Sequence, residues 1–188
     1  MSLYGTKLRI SNIKVSAKIF AARGDLVHWC EQEATKKNSS FFIIRQVGCV
    51  FTVFYKGHVN ISSCRNKDDV ERGLFFLQTR PFIFNVELVS IDNITCSARL
   101  RQSLFNRRKL RFALYLKEIS KFCSPVYYQV KYTPQVFPAA FFKSRHFGTV
   151  ALFSSGKINI VGCKSFSQIE EALVLFVETI QHASSRIG

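Results

Sequence analysis

Residues Phe54–Arg65 read FYKGHVNISSCR, and residues Phe153–Lys164 read FSSGKINIVGCK. The Phe, Gly, Asn, Ile and Cys of the first stretch recur in place in the second, 99 positions on, and His58/Lys157, Val59/Ile158 and Arg65/Lys164 pair by character. Such a match within 188 residues marks an internal duplication, and a duplicated chain folds as two copies of one unit. More of the repeat follows. ISNIKVSAKI (10–19) resembles SIDNITCSARL (90–100), with Asn12 opposite Asn93. RGDLVHWCEQEA (23–34) is set beside RRKLRFALYLKEISKF (107–122), and SSFFIIR (39–45) beside FPAAFFK (137–143). KDDVERGLFFLQ (67–78) and SFSQIEEALVLFVETIQ (165–181) close the two halves as amphipathic helices with acidic or small polar starts.

Each half predicts strand, helix, several strands and a long helix. The expected fold class is α+β: a pseudo-two-fold pair of repeats, 1–81 and 82–188, meeting near Arg80-Pro81. Their strands would form one curved antiparallel sheet with helices on one side only. Gly57 in YKGH and Gly156 in SSGK mark hairpin turns. Strand alternation then sorts the residues between faces. Val59, Ile61, Ile158 and Ile160 point to the helices, while Asn60, Ser62, Asn159 and Val161 point to the bare face. Phe54 and Phe153 fall on that bare face at strand ends, where a core role does not account for them.

Lys and Arg number 27 against 12 Asp and Glu, a net charge of +15. The halves on either side of Pro81 carry +7 and +8, from 13 basic and 6 acidic residues and from 14 and 6. An excess spread over both halves suits a polyanion, either nucleic acid or an anionic membrane surface. Residues 107–121 partly fit a basic amphipathic helix of the membrane-surface kind, and equally a helix that grips a protein partner. No apolar run is long enough to span a bilayer, and the first twenty residues do not read as a signal peptide. The six cysteines have no CxxC spacing and read as reduced, packed thiols; Trp29 and Cys30 read as core. His28, His58, His146 and His182 show no metal-ligand spacing, and no carboxylate pair suggests acid–base work. The expectation is a non-enzyme with no cofactor, no metal, no small-molecule substrate and no membrane partner.

The stretch QVFPAAFFK…GTVALFSSGKINIVGCKSFSQIEEAL (135–173) resembles the TATA-box-binding protein family, and the resemblance extends over roughly residues 6–182. It implies a saddle whose concave sheet widens a DNA minor groove, with helices on the convex side. DNA-intercalating rings would be Phe54, Phe137 and Phe153, with the fourth position on Ser39 or, after a short shift, Phe41. The minor-groove floor would hold Asn12, Asn93, Asn60, Asn159, Ser62, Val161 and Thr95. Phosphates would meet Arg45, Arg65, Lys143, Lys157, Lys164 and His58. The family carries Val where Asn60, Asn159, Lys14 and Thr95 stand, so a relaxed or shifted base preference is expected. The acidic loop that docks a B-type initiation factor in the family reads YTPQ (132–135), so a divergent partner is expected. The resemblance implies a promoter-binding protein that bends duplex DNA and nucleates transcription with initiation factors or polymerase subunits. Its place would be the nucleus, or the site of transcription of a virus or its host. Two other readings use the same fold. One is an interaction module that recruits or sequesters initiation factors or polymerase without bending DNA; the other is a substrate-gripping appendage of a nucleic-acid enzyme, for whose catalytic domain this chain has no room.

Overall fold

The computed structural model describes residues 2–3, 6–100, 116, 118 and 128–185. The helix expected across 107–122 therefore lies almost wholly outside the described residues. In chain order the elements are β1 (Ser2–Leu3), β2 (Thr6–Lys7), β3 (Arg9–Ala21), α1 (Arg23–Glu33), β4 (Lys36–Lys37), β5 (Phe41–Gln46), β6 (Cys49–Phe54), β7 (His58–Cys64), α2 (Lys67–Gln78), β8 (Ile83–Arg99), β9 (Tyr128–Lys131), β10 (Ala139–Ser144), β11 (Thr149–Phe153), β12 (Lys157–Cys163) and α3 (Phe166–Ser185). The class is α+β, as the repeat predicts, and the described strand pairings are antiparallel. The chain forms two compact units, Ile10–Ile94 and Met1–Arg9 with Thr95–Gly188.

In the Ile10–Ile94 unit the strand order is β4-β5-β6-β7-β3. Alternation decides the faces. Phe42, Ile44, Phe51, Val53, Val59 and Ile61 are buried, while their neighbours Ile43, Thr52 and Asn60 are half-exposed. The buried set lies under α1 and α2, which contribute Leu26, Trp29, Val70 and Leu77. Phe76 packs between two rings of this core, 5.3 Å from Phe51 and 6.4 Å from Trp29. In the other unit β12-β11-β10-β9 are neighbours. Here α3 supplies Ile169, Leu173, Phe176, Val177 and Ile180, an i, i+4, i+7 stripe buried throughout. Phe176 meets Phe142 and Tyr128 edge-on at 5.0 and 6.3 Å. Truncating a ring so placed costs about 3–5 kcal/mol.

The repeat reaches the polar joints as well as the core. Asn66 Oδ1 accepts the Asp69 N–H, and Asp69 Oδ2 accepts the Arg65 N–H. Ninety-nine residues on, Ser165 Oγ accepts the Gln168 N–H and Gln168 Oε1 accepts the Lys164 N–H. In each, the capping side chain satisfies one of the first donors of the helix, and the residue three on reaches back to the N–H just before the cap, a variant of the capping box. Each hairpin turn closes on its glycine: Gly57 N–H donates to Phe54 O and Gly156 N–H to Phe153 O, both at 2.9 Å. Their φ values, 82° and 76°, lie where a Cβ is unfavourable.

Candidate nucleic-acid interface

Cross-strand register aligns the residues of each unit into rows, because opposed residues on antiparallel strands share a face. In the Ile10–Ile94 unit one row runs Ile43–Thr52–Asn60–Ser16, with Arg45–Val50–Ser62 on one side and Phe41–Phe54 on the other. In the second unit the matching rows are Lys131–Phe141–Ala151–Asn159, Gln129–Lys143–Thr149–Val161 and Ala139–Phe153. Asn60, Ser62, Asn159 and Val161 thus lie on the faces that alternation assigned to them. Val161 is 41% exposed. Arg45, Lys143, His58, Lys157, Arg65 and Lys164 are all exposed. Thr95 is half-exposed, with Ile94 and Cys96 on either side buried.

The rings gather at one end of each face. Phe41 is the cross-strand partner of Phe54, and their rings meet edge-on at 5.9 Å. Ser39 is exposed in an Asx turn, where Asn38 Oδ1 accepts the N–H groups of Ser40 and Phe41. That turn carries the chain directly into β5, so the ring beside Phe54 is Phe41 and not a residue at position 39. In the second unit Phe137 N–H and Val136 N–H both donate to Thr133 O. This turn lays the Phe137 ring, 43% exposed, 5.2 Å from Phe141 and 6.0 Å from Phe153. Phe141 has no part in the sequence reading. Its neighbour Phe142 is buried, and a FF pair alone does not say which ring faces out.

Asn12 is held by a β-bulge. Between the pairs Ile13–Cys64 and Val15–Ile61, two steps on β3 face three on β7, and the extra residue is Ser63. Ser63 takes φ 68° and its N–H donates to Asn12 Oδ1 at 2.7 Å. With its oxygen so engaged, Asn12 keeps the Nδ2 donors for another partner. Asn93 is half-exposed in the same unit.

Further basic residues join the predicted ones. In the second unit Lys157 lines a cleft with Lys7, Leu8, Arg9, Ser97, Ala98 and Arg99. In the first unit Lys18 is the direct partner of His58 on the neighbouring strand. Lys18 and Arg99 hold the same repeat position, in SAKI and SARL, a signal that was legible in the sequence. One acidic residue also reaches this region. Asp92 Oδ2 accepts from Ser16 Oγ at 2.7 Å, Asp92 Oδ1 accepts from Ser90 Oγ at 2.7 Å, and Lys14 Nζ stands 3.9 Å away.

Among the described residues the five thiols, Cys30, Cys49, Cys64, Cys96 and Cys163, are buried packing groups. Burial pushes Cys30 and Cys96 up to about 12 and Cys163 up to about 11, far from a reactive thiolate at neutral pH. Cys49 and Cys64 share a hydrogen bond at 3.6 Å, which lowers the first and raises the second. Among the described residues no group of His, Cys, Asp and Glu could hold a metal ion, and no helix is long and apolar enough to cross a membrane.

The model for the family described as Transcription factor TFIID (or TATA-binding protein, TBP) matches residues 88–183. Among solved structures, Methanococcus jannaschii TBP aligns with a TM-score of 0.71 at 21% identity, over 94% of this chain and 99% of that one, a likeness of fold. The heterotetrameric sarcosine oxidase from Corynebacterium sp. U-96, in complex with pyrrole 2-carboxylate, aligns over 96% of this chain and 84% of that one at 14% identity. Its TM-score of 0.29 is too low to indicate a shared fold. No curated protein matches the chain.

Proposed function

The chain belongs to the TATA-binding-protein family, and on that premise we propose that it is a promoter-binding protein that bends duplex DNA through the minor groove and nucleates transcription initiation. The observation that carries this reading is the pair of aromatic clusters. Phe54 and Phe153 are repeat-equivalent, half-exposed at the ends of strand faces, and each has a second Phe against it, Phe41 or Phe137. Apolar wedges of this kind partly unstack base steps at a cost of a few kcal/mol per step, a magnitude established on TATA-binding proteins themselves. The wider contact that results offsets it. Lys157, Arg99, Lys143, Arg45, Lys18, Arg65, Lys164 and His58 serve the phosphates, setting register and releasing counterions. The floor is Asn12, Asn93, Asn60, Asn159, Ser62, Val161 and Thr95. Its partners are initiation factors or polymerase subunits, and its place is the nucleus or another site of transcription.

The test is end-labelled duplexes, A·T-rich, G·C-rich and random, titrated with protein across a salt series while end-to-end distance is followed by energy transfer. The expected result is tight binding with a large fall in that distance. Weak, unbent, steeply salt-dependent binding that ignores sequence would sink the reading. The interaction-module alternative draws support from Phe84, Val89 and Leu88, which are exposed on β8 at 79%, 63% and 49%. That surface suits a protein partner, and the same titration separates the two readings.

A further inference from the structure

Two acceptors compete for one hydrogen where β7, β3 and β8 adjoin in the Ile10–Ile94 unit. Ser16 Oγ lies 2.7 Å from Asp92 Oδ2 and 3.1 Å from Asn60 Oδ1. A serine hydroxyl carries a single hydrogen. Hydrogen bonds to a carboxylate are shorter and about twice as strong as those between neutral groups, so the hydrogen goes to Asp92. The Ser16 oxygen then meets Asn60 as an acceptor. An amide oxygen against it would set lone pair to lone pair. Half a turn of the Asn60 amide, which changes almost nothing in shape, replaces that with an Nδ2–H donated to Ser16. The chain is then complete: Asn60 donates to Ser16, and Ser16 donates to Asp92.

We infer that Asn60, oriented by Ser16 and Asp92, presents its carbonyl oxygen to the open face and accepts a hydrogen bond from the exocyclic amino group of guanine in the minor groove. This rests on the proposed mode of DNA binding. The minor-groove floor of an A·T pair offers acceptors only, and G·C adds the guanine N2 donor. An outward acceptor therefore finds a partner at G·C and none at A·T. The second unit has no such bias. Among the described residues the Asn159 side chain makes no hydrogen bond, and its amide turns to suit either pair. Asp92 has Ser11 as its repeat-equivalent, so the carboxylate is private to one repeat. The site reads one end more strictly than the other and sets a direction on the DNA.

The experiment scans a single G·C pair through an otherwise A·T duplex, with wild-type protein, reading affinity and bending together. At each position inosine·C, which lacks the N2 amino group, and 2,6-diaminopurine·T, which supplies it on an A·T-type pair, stand beside G·C and A·T. The expected result is one position where G·C and diaminopurine·T bind about tenfold tighter than inosine·C and A·T, with no such preference at the mirror position. Asp92→Ser frees the Ser16 hydrogen for Asn60 and abolishes or inverts the preference, while Asn60→Val abolishes it. Bending that is blind to the N2 amino group at every position overturns the inference and leaves the proposed function standing. Failure to bind or bend any duplex removes both.

Discussion

The two repeats begin as near-copies and are not equivalent as built. Compare position 63 with position 162. Both sit in the left-handed region, at φ 68° and 93°, but the first is Ser and the second Gly. Compare 49 with 148. Cys49 fills its space against Cys64, whereas a Cβ on Gly148 would stand 1.8 Å from Val161 O. The second repeat has no room for a side chain at 148, where the first holds Cys49. The open faces diverge in the same way. The second carries three clustered rings, Phe137, Phe141 and Phe153. The first has two, Phe41 and Phe54, together with the hydrogen-bonded set of Ser16, Asn60 and Asp92. Duplication supplies the scaffold twice, and the departures from it give each end its own chemistry.

That comparison is open to attack. The largest effect is expected from the rings. Phe54→Ala with Phe153→Ala removes the shared member of each cluster and should cost roughly 100-fold in affinity for bent DNA, with bending lost by energy transfer. Retained bending would deny the clusters a common role. Next comes Gly148→Ala, whose Cβ has only backbone to displace. It should destabilise by about 2–3 kcal/mol, read as a lower denaturant midpoint, whereas Cys49→Ala at the equivalent place should cost about 1 kcal/mol. Equal costs would mean that the two positions are packed alike.

The basic pairs give a smaller effect. Arg99→Gln with Lys157→Gln removes two phosphate contacts and should flatten the slope of log affinity against log salt by about 1.8. Lys18→Gln alone should flatten it by about 0.9. A slope unchanged by either would place those residues off the DNA path. The finest distinction is at the left-handed position that the two repeats share. Ser63→Gly should stabilise by about 1 kcal/mol through relief of the left-handed strain, and Gly162→Ser should destabilise by at least as much. In a protein of this size that is a shift in Tm of about 2–4 °C in each direction.

Much of this molecule could be read from its letters because the relevant signals are local. The alternation that buries Val59 and Ile61 beneath Asn60, the turn glycines and the helix starts each depend on residues a few positions apart, and the repeat needs only one stretch of letters laid beside another. Strand geometry converts them directly into faces. The same logic gives the outward placing of Asn159 and the half-exposure of Phe54 and Phe153. What tertiary structure alone decided depends on register and on turns. Whether Phe41 or Ser39 accompanies Phe54 was settled by the Asx turn at Asn38, which sets where β5 begins. Phe141 came under Phe137 only because the Thr133–Phe137 turn folds back. The hydroxyl of Ser16 reaches residues 44 and 76 positions away. No sequence pattern encodes such a meeting, since sliding one strand past its neighbour would leave the hydrophobic pattern intact at the next even step while parting the three side chains.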